Sequence, residues 1–198
     1  MSQLTLTSDP LGSATTGTFE FENPAFYMTG ATSQRGVVLA DQFILLQSAN
    51  TLTSQTAAQP LFDVTGSGQV TLVAGTYEFE CAFSLSSMSN SSGSFGFALG
   101  GGATFTQDWW SSANKATLAT AASGQVTYNT AANTALVTAN TNTVAFARCG
   151  GVLIVTVGGT VIPQVSLGVA AAAVVGVGSY FKIRALGSAA VTSIGNWS

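Results

Sequence analysis

One stretch of this chain alternates strictly between apolar and polar positions, and it constrains the fold more than any other feature. In residues 77–85 (YEFECAFSL) every odd-numbered side chain is apolar, and Glu, Glu, Ala and Ser lie between them. Successive side chains of a β-strand point to opposite faces, so the pattern predicts an antiparallel strand with one buried and one solvated face. A Gly-containing turn leads into this strand.

The rest of the chain carries further strand patterns and no convincing helix. Residues 17–24 alternate Phe with Glu before an Asn-Pro turn. Residues 37–48 are compatible with a helix, but their short length and their β-branched and aromatic residues favour a strand. The pair Gly158-Gly159 predicts a two-residue hairpin. We count about eight to ten strands, which predicts an all-β, antiparallel β-sandwich or jelly roll.

Length and charge restrict the class of protein. With 198 residues the chain can bury the core of one domain, which we place at residues 18–198, after a polar, extended arm at residues 1–17. Charged residues make up only 7% of the chain, against roughly 25% in an ordinary soluble domain. The net charge is −3 and the cations are scattered, whereas a nucleic-acid-binding protein needs clustered Lys and Arg. We therefore expect no nucleic-acid partner.

The apolar segments are too short to predict a membrane protein. The mean hydropathy is +0.41, yet the most apolar window, residues 165–181, is shorter than the ~20 residues that a spanning helix needs. Residues 1–17 show no basic or apolar region of a signal peptide. We therefore expect no membrane partner and synthesis in a cytoplasm. There, Cys81 and Cys149 are expected to be free thiols, with pairing between them as the alternative.

Few residues of the chain could carry out catalysis. The chain has no histidine, which removes the usual general base and the commonest metal ligand. Glu78 and Glu80 lie two residues apart on the predicted outer face of a strand, so a glycosidase carboxylate pair is one interpretation. We favour a solvated face, or pairing with Lys182 and Arg184 of a neighbouring strand. We expect no enzymatic activity, no catalytic or metal-binding residue and no cofactor.

The least common cluster is QDWWSSANK, residues 107–115. Adjacent tryptophans on a strand point to opposite faces, so one of Trp109 and Trp110 can enter the core while the other meets solvent or a partner. In a functional interpretation the exposed tryptophan contacts a glycan or a neighbouring subunit, beside Asp108 and Lys115. In the structural interpretation, which we favour, both tryptophans are covered within the fold or within a trimer.

Five blocks of the sequence resemble a family of bacteriophage and prophage virion proteins, many of which carry this module as the C-terminal part of tail fibres or similar surface proteins. The blocks are RGVV (35–38), TLTSQTAAQPLF (51–62), LVAGTYEFECAFSLSSMSNSSGSFGF (72–97), VIPQVSLGVAAAAVVGVGSYFKI (161–183) and the terminal VTSIGNWS. The segments AGTYEFE and SYFKI are also similar to the C1q/TNF-like jelly roll. That similarity implies a trimer of compact β-sandwiches.

The resemblance implies a non-enzymatic protein on the exterior of a virion, made in the host cytoplasm. Because no heptads or collagen-like repeats precede the first family-like strand, we expect a free-standing capsid decoration or cement protein rather than a fibre. We expect this homotrimer to contact the major capsid protein or another virion protein, through one trimer end or through the arm residues Leu4, Leu6, Asp9 and Leu11. The alternative is a tail fibre or spike tip that binds a host-surface glycan or receptor.

Overall fold

In the computed structural model of the chain, every regular element of the described residues is a β-strand, and all the strand pairs are antiparallel. The structure describes residues 18–29, 35–38, 41–62, 68–91, 93–115, 125–129, 134–140 and 142–190. The predicted all-β, antiparallel fold is confirmed.

The strands are short at the beginning of the chain and long in its middle. The first eight are β1 (Phe19–Glu22), β2 (Ala25–Thr29), β3 (Arg35–Val38), β4 (Asp41–Leu45), β5 (Asn50–Thr51), β6 (Gln59–Pro60), β7 (Val70–Leu72) and β8 (Gly75–Ser86). They are followed by β9 (Gly93–Gly100), β10 (Thr104–Lys115), β11 (Gln125–Asn129), β12 (Thr134–Asn140), β13 (Ala145–Val157), β14 (Gly159–Leu167), β15 (Val174–Val175) and β16 (Tyr180–Gly187). The described residues form sixteen strands, more than the eight to ten that we expected. The difference arises because short strands such as β4 and β5 lie end to end and together occupy one strand position in the sheet.

The large sheet has eight strands. Its order is β11-β10-β13-β8-β15-β5, with β16 also paired with β8 and with β4 beyond it. On the central strand β8, Tyr77, Phe79 and the following odd-numbered side chains are buried, whereas Glu78 and Glu80 are partly exposed on the other side. The alternation in the sequence therefore predicts the inner and outer faces of this strand correctly.

The second sheet has five strands in the order β12-β9-β14-β6, with β7 also paired with β14. Phe95 and Phe97 of β9 and Val161 and Val165 of β14 are buried in the same core as the inner side chains of β8. The core thus lies between the two sheets, and the fold is a β-sandwich.

The chain passes from one sheet to the other at most of its turns. From β7 to β15 successive strands alternate between the sheets, except β10 and β11, which pair with each other. The predicted hairpin at Gly158-Gly159 is therefore wrong, because β13 belongs to the large sheet and β14 to the second. A crossing between sheets needs the same flexible turn residues as a hairpin, so the Gly-Gly signal could not separate the two.

A third sheet, formed by β1, β2 and β3, packs against the sandwich where β8 begins and β16 ends, next to Gly75 and Leu186. The predicted Asn-Pro turn joins β1 to β2. Ala25 and Tyr27 of β2 are buried, and the Tyr27 hydroxyl donates a hydrogen bond to the carbonyl of Leu186, just within the last strand of the sandwich.

Four buried aromatic side chains join the two sheets of the sandwich. Phe97 of β9 contacts Phe79 and Phe83 of β8, with ring centroids 6.4 and 6.1 Å apart. On β10, the Trp109 ring meets Phe97 edge-on at 5.3 Å. Each aromatic pair of this kind contributes about 0.5–1.5 kcal/mol beyond the burial of its surface. These contacts therefore determine which residues of β8 and β10 face inward.

Gly151 on β13 makes room for Trp109, its cross-strand partner. A Cβ atom at Gly151 would lie 2.1 Å from the carbonyl oxygen of Asp108 and 2.5 Å from the Cα of Trp109. Both are backbone atoms, so β10 would have to shift as a whole to admit any other side chain.

We expect Gly151→Ala to lower the free energy of unfolding by about 1–3 kcal/mol or more, because overpacked cores cost this much. Gly102→Ala is the matched control, since a Cβ there would meet nothing closer than the Thr160 hydroxyl at 3.6 Å. The control should stay within about 0.5 kcal/mol of the unmodified protein in urea denaturation. Equal stability of the two variants would show that β10 is not held as tightly as described.

Candidate functional site

The two adjacent tryptophans of β10 point to opposite faces of the large sheet. Trp109 is in the core with 1% of its surface exposed, whereas Trp110 is 43% exposed on the outer face. Alternation along the strand predicted this division. Within a single chain Trp110 is therefore not covered by the fold, and the other half of the interpretation that we favoured, coverage of Trp110 within a trimer, stays a prediction.

The outer face of the large sheet, opposite the core, holds exposed aromatic side chains and all but one of the charged side chains that the structure describes. Cross-strand pairing places six residues in one row across this face. From the β11 edge to the β4 edge the row is Tyr128, Trp110, Gly150, Glu80, Lys182 and Phe43. Aromatic residues therefore lie toward both edges, with charged residues between them.

Near the β11 edge, Asp108, Trp110, Tyr128 and Gly150 form what we call the Trp110 platform. The benzene half of the indole covers Gly150, since a Cβ there would lie 3.1 Å from Cζ2 and 3.4 Å from Cε2 of Trp110. The Tyr128 hydroxyl donates a hydrogen bond to Asp108 Oδ1 at 3.1 Å, and this bond raises the pKa of Tyr128. Tyr128 is 71% exposed. Both rings are thus held by neighbours and open to solvent.

In the middle of the row, Glu80 accepts hydrogen bonds from two neighbouring strands. Arg148 Nη2 of β13 lies 3.0 Å from Glu80 Oε2, and the Tyr180 hydroxyl of β16 donates to Glu80 Oε1. Burial alone would raise the pKa of Glu80, but the bonds from Tyr180 and Arg148, with the charges of Arg148 and Lys182, outweigh it and lower that pKa. Glu80 is therefore held ionised, whereas a glycosidase general acid needs a raised pKa.

The predicted pairing of the two β8 carboxylates with the last strand is correct in register. Lys182 lies opposite Glu80, and Arg184 lies opposite Glu78. Arg184 donates to Glu78 Oε2 from Nε at 2.8 Å and from Nη2 at 2.5 Å. The ion pair of Glu80, however, is with Arg148 on the other side of β8. We did not predict this partner, because alternation within β13 does not say which strand lies beside it.

Phe43 and Leu45 of β4, Tyr180 of β16 and Phe146 of β13 form what we call the Tyr180 patch. Phe43 is 55% exposed and stacks on Tyr180, with ring centroids 5.2 Å apart. A shallow depression of about 390 Å³ separates Phe146 from Tyr180, with Arg148 among its lining residues. Clustered exposed apolar side chains of this kind mark interaction sites.

The structure groups only part of the residues that the sequence singled out. Asp108 lies on the same face as Trp110, but Lys115 is the last residue of β10, about 17 Å further along the strand. Leu4, Leu6, Asp9 and Leu11, the predicted contacts of the arm, lie outside the described residues. The sequence analysis did not select Tyr128. The signal that could have identified it is its isolation, since it is the one aromatic residue between Trp110 and Phe146 in the sequence.

The two cysteines face each other across β8 and β13 inside the core. Both are free thiols, as predicted. Burial raises the pKa of Cys81 and of Cys149, so both remain protonated and poor nucleophiles. In the described residues there is no group of three or more His, Cys, Asp and Glu side chains that could hold a metal ion. None of the same residues belongs to a helix long and apolar enough to cross a membrane.

No protein-family model and no curated protein matches the chain. The outer face itself offers two exposed aromatic areas, separated by carboxylates whose charges are largely paired. An open face of this kind is suited to contact with another molecular surface or with a ring-shaped ligand.

We expect the contacts of Glu80 to stabilise the fold at neutral pH and not in acid. Because the pKa of Glu80 in the folded state lies below its ordinary value of 4.5, the stabilisation is present above the unfolded-state pKa and is lost as the pH falls through the folded-state pKa. Glu80→Gln should lower the free energy of unfolding by less than about 1 kcal/mol at about pH 7, and by much less at about pH 3. Urea denaturation at both pH values measures this.

Tyr180→Phe is the comparison, since it removes one hydrogen bond to Glu80 and keeps the carboxylate. The free energy of unfolding that Tyr180→Phe loses should depend on pH in the same way as the loss in Glu80→Gln, but it should be smaller. If Glu80→Gln costs the same free energy at both pH values, the stabilisation does not come from the ionised carboxylate.

Proposed function

We propose that this chain is a non-enzymatic structural protein that forms homotrimers on the exterior of a bacteriophage head and stabilises the capsid. The observation that carries the proposal is the Tyr180 patch, an exposed apolar area on a sheet that is otherwise rich in charge pairs. The resemblance of the sequence to virion surface proteins supplies the setting.

The outer face is large enough for a stable subunit contact. Because four of the eight strands lie end to end in two pairs, the sheet is six strands across. At a spacing of about 4.8 Å between strands, the face is roughly 25 Å wide. The longest strands have 12 and 13 residues and so extend about 40 Å. A standard interface buries about 800 Å² on each partner, which is less than the area of this face.

The chemistry of the face favours a second copy of the chain over a strongly charged partner. Glu78 is paired with Arg184, and Glu80 with Arg148, and the seven described charges of the face leave a net charge of only −1 with which to attract a charged surface. Phe43 and Tyr180 supply the aromatic groups that are common at the centres of interfaces. The alternation of strands between two sheets agrees with a C1q/TNF-like jelly roll, and that resemblance implies three subunits.

We expect Phe43→Lys to weaken the trimer by about 30-fold or more, because it places a charge in the apolar centre of the contact. Val157→Lys is the matched control, since Val157 is 59% exposed but lies at the end of β13, away from the Tyr180 patch. Native mass spectrometry and sedimentation equilibrium measure the mass of each assembly. A monomeric unmodified protein, or a Phe43→Lys variant that remains trimeric, would exclude this interface.

The capsid role is tested with purified heads that lack this protein. Adding the full chain should raise the temperature at which the heads rupture, because a ligand that binds only the intact shell stabilises it by mass action. Phe43→Lys should give a smaller increase than Val157→Lys. Decorated heads that rupture at the same temperature as bare heads would exclude a cementing role.

The second candidate function is that of a tail-fibre or spike tip that binds a host-surface glycan. The specific observation that favours it is the exposed indole of Trp110 beside Tyr128. Aromatic platforms of this kind are typical of carbohydrate-binding sites.

A further inference from the structure

We propose that the Trp110 platform binds a pyranose ring of an uncharged saccharide. The inference rests on the second candidate function and supplies its site and its ligand class. It does not depend on the trimer or on the capsid role.

The platform presents its aromatic rings in a fixed orientation. Trp110 and Tyr128 are direct cross-strand partners, so their side chains lie next to each other on the outer face. Gly150 lies under the indole, and no side chain there lifts the ring away from the sheet. The axial C–H groups of one sugar ring cover an apolar surface of this size. Because the aromatic side chains are already held in place, they lose little conformational entropy when the sugar binds.

A polar group at the border of the platform can orient the sugar. Asp108 uses Oδ1 to hold Tyr128, and its other carboxylate oxygen accepts no hydrogen bond from the described part of the chain. Glu80, two strands from Trp110, is not such a group, because Tyr180 and Arg148 occupy its two oxygens. The second Asp108 oxygen is an acceptor, and sugar hydroxyls are donors. An apolar floor with a precisely placed polar group is the usual composition of a small-ligand site.

The charges of the face select against an acidic sugar. Carboxylates exceed cations by one among the outer-face side chains described, which are Asp41, Glu78, Glu80, Asp108, Arg148, Lys182 and Arg184. The carboxylate nearest to the two rings, Asp108, pairs with a phenol and not with a cation. A sugar carboxylate placed on the platform would therefore be repelled by Asp108.

The platform lies apart from the Tyr180 patch. Trp110 on β10 and Phe43 on β4 are separated by four strand spacings, or about 19 Å, and Phe146 on β13 lies four residues, or about 14 Å, along the strand from Gly150. Glu80 and Arg148 lie between the two areas. A sugar on the platform and a subunit on the patch can therefore be tested with different variants.

Saturation-transfer difference NMR with the full chain tests the proposal. The probes are methyl glycosides of glucose, galactose, mannose and N-acetylglucosamine, with N-acetylneuraminic acid as the anionic comparison. We expect at least one uncharged glycoside to bind with millimolar affinity, with saturation strongest on the C–H groups of one ring face, and the anionic sugar to bind more weakly. Failure of every uncharged glycoside to bind, or stronger binding of the anionic sugar, would overturn the proposal.

Surface variants locate the site. Trp110→Ala should weaken binding by about tenfold or more, Trp110→Phe by less, and Tyr128→Phe slightly, since it keeps the ring and loses the bond to Asp108. Phe19→Ala is the control, because Phe19 is an exposed aromatic residue on the separate three-stranded sheet. An unchanged affinity in Trp110→Ala would overturn the proposal.

Native mass spectrometry of the same variants separates a sugar site from a subunit contact. If Trp110→Ala dissociates the assembly, the platform is a subunit interface and the saccharide proposal fails. If the assembly is intact and the affinity for the sugar falls, the proposal stands, whatever the effect of Phe43→Lys on the trimer.

Discussion

The packing of aromatic rings between the two sheets is the interaction on which the rest of this structure depends. Phe97 brings together Phe79, Phe83 and Trp109, which come from the two strands that matter most for the outer face. A shift of one residue in a strand would move every side chain to the opposite face. The buried rings therefore position not only the core but also each charged and aromatic group that meets solvent.

The outer face follows directly from this register. With Phe79 and Cys81 turned inward, Glu78 and Glu80 must point outward, where Arg184 and Arg148 reach them from the strands on either side. With Trp109 inward, Trp110 must lie outside. Among the charged side chains that the structure describes, all but one lie on this face, and four of them form two ion pairs across β8. Aromatic groups at either side of these pairs are left available for partners.

Local alternation was enough to predict the class of fold and the faces of individual strands. It predicted the buried side of β8 and the opposite orientations of Trp109 and Trp110. It could not predict which strands are neighbours, because strand order depends on contacts distant in the sequence. For this reason Arg148 was not among the predicted partners of Glu80, and Gly158 was assigned to a hairpin instead of a crossing. Tyr128 joins the site for the same reason, since only the pairing of β10 with β11 brings it to Trp110.

Cryo-electron microscopy of virions that carry this protein tests most directly whether the protein makes its contacts through the outer face of the large sheet. We expect groups of three copies on the head, with the Phe43 and Tyr180 side of the large sheet buried between subunits. Copies that contact one another or the shell only through the second sheet, with the outer face of the large sheet bare, would contradict it.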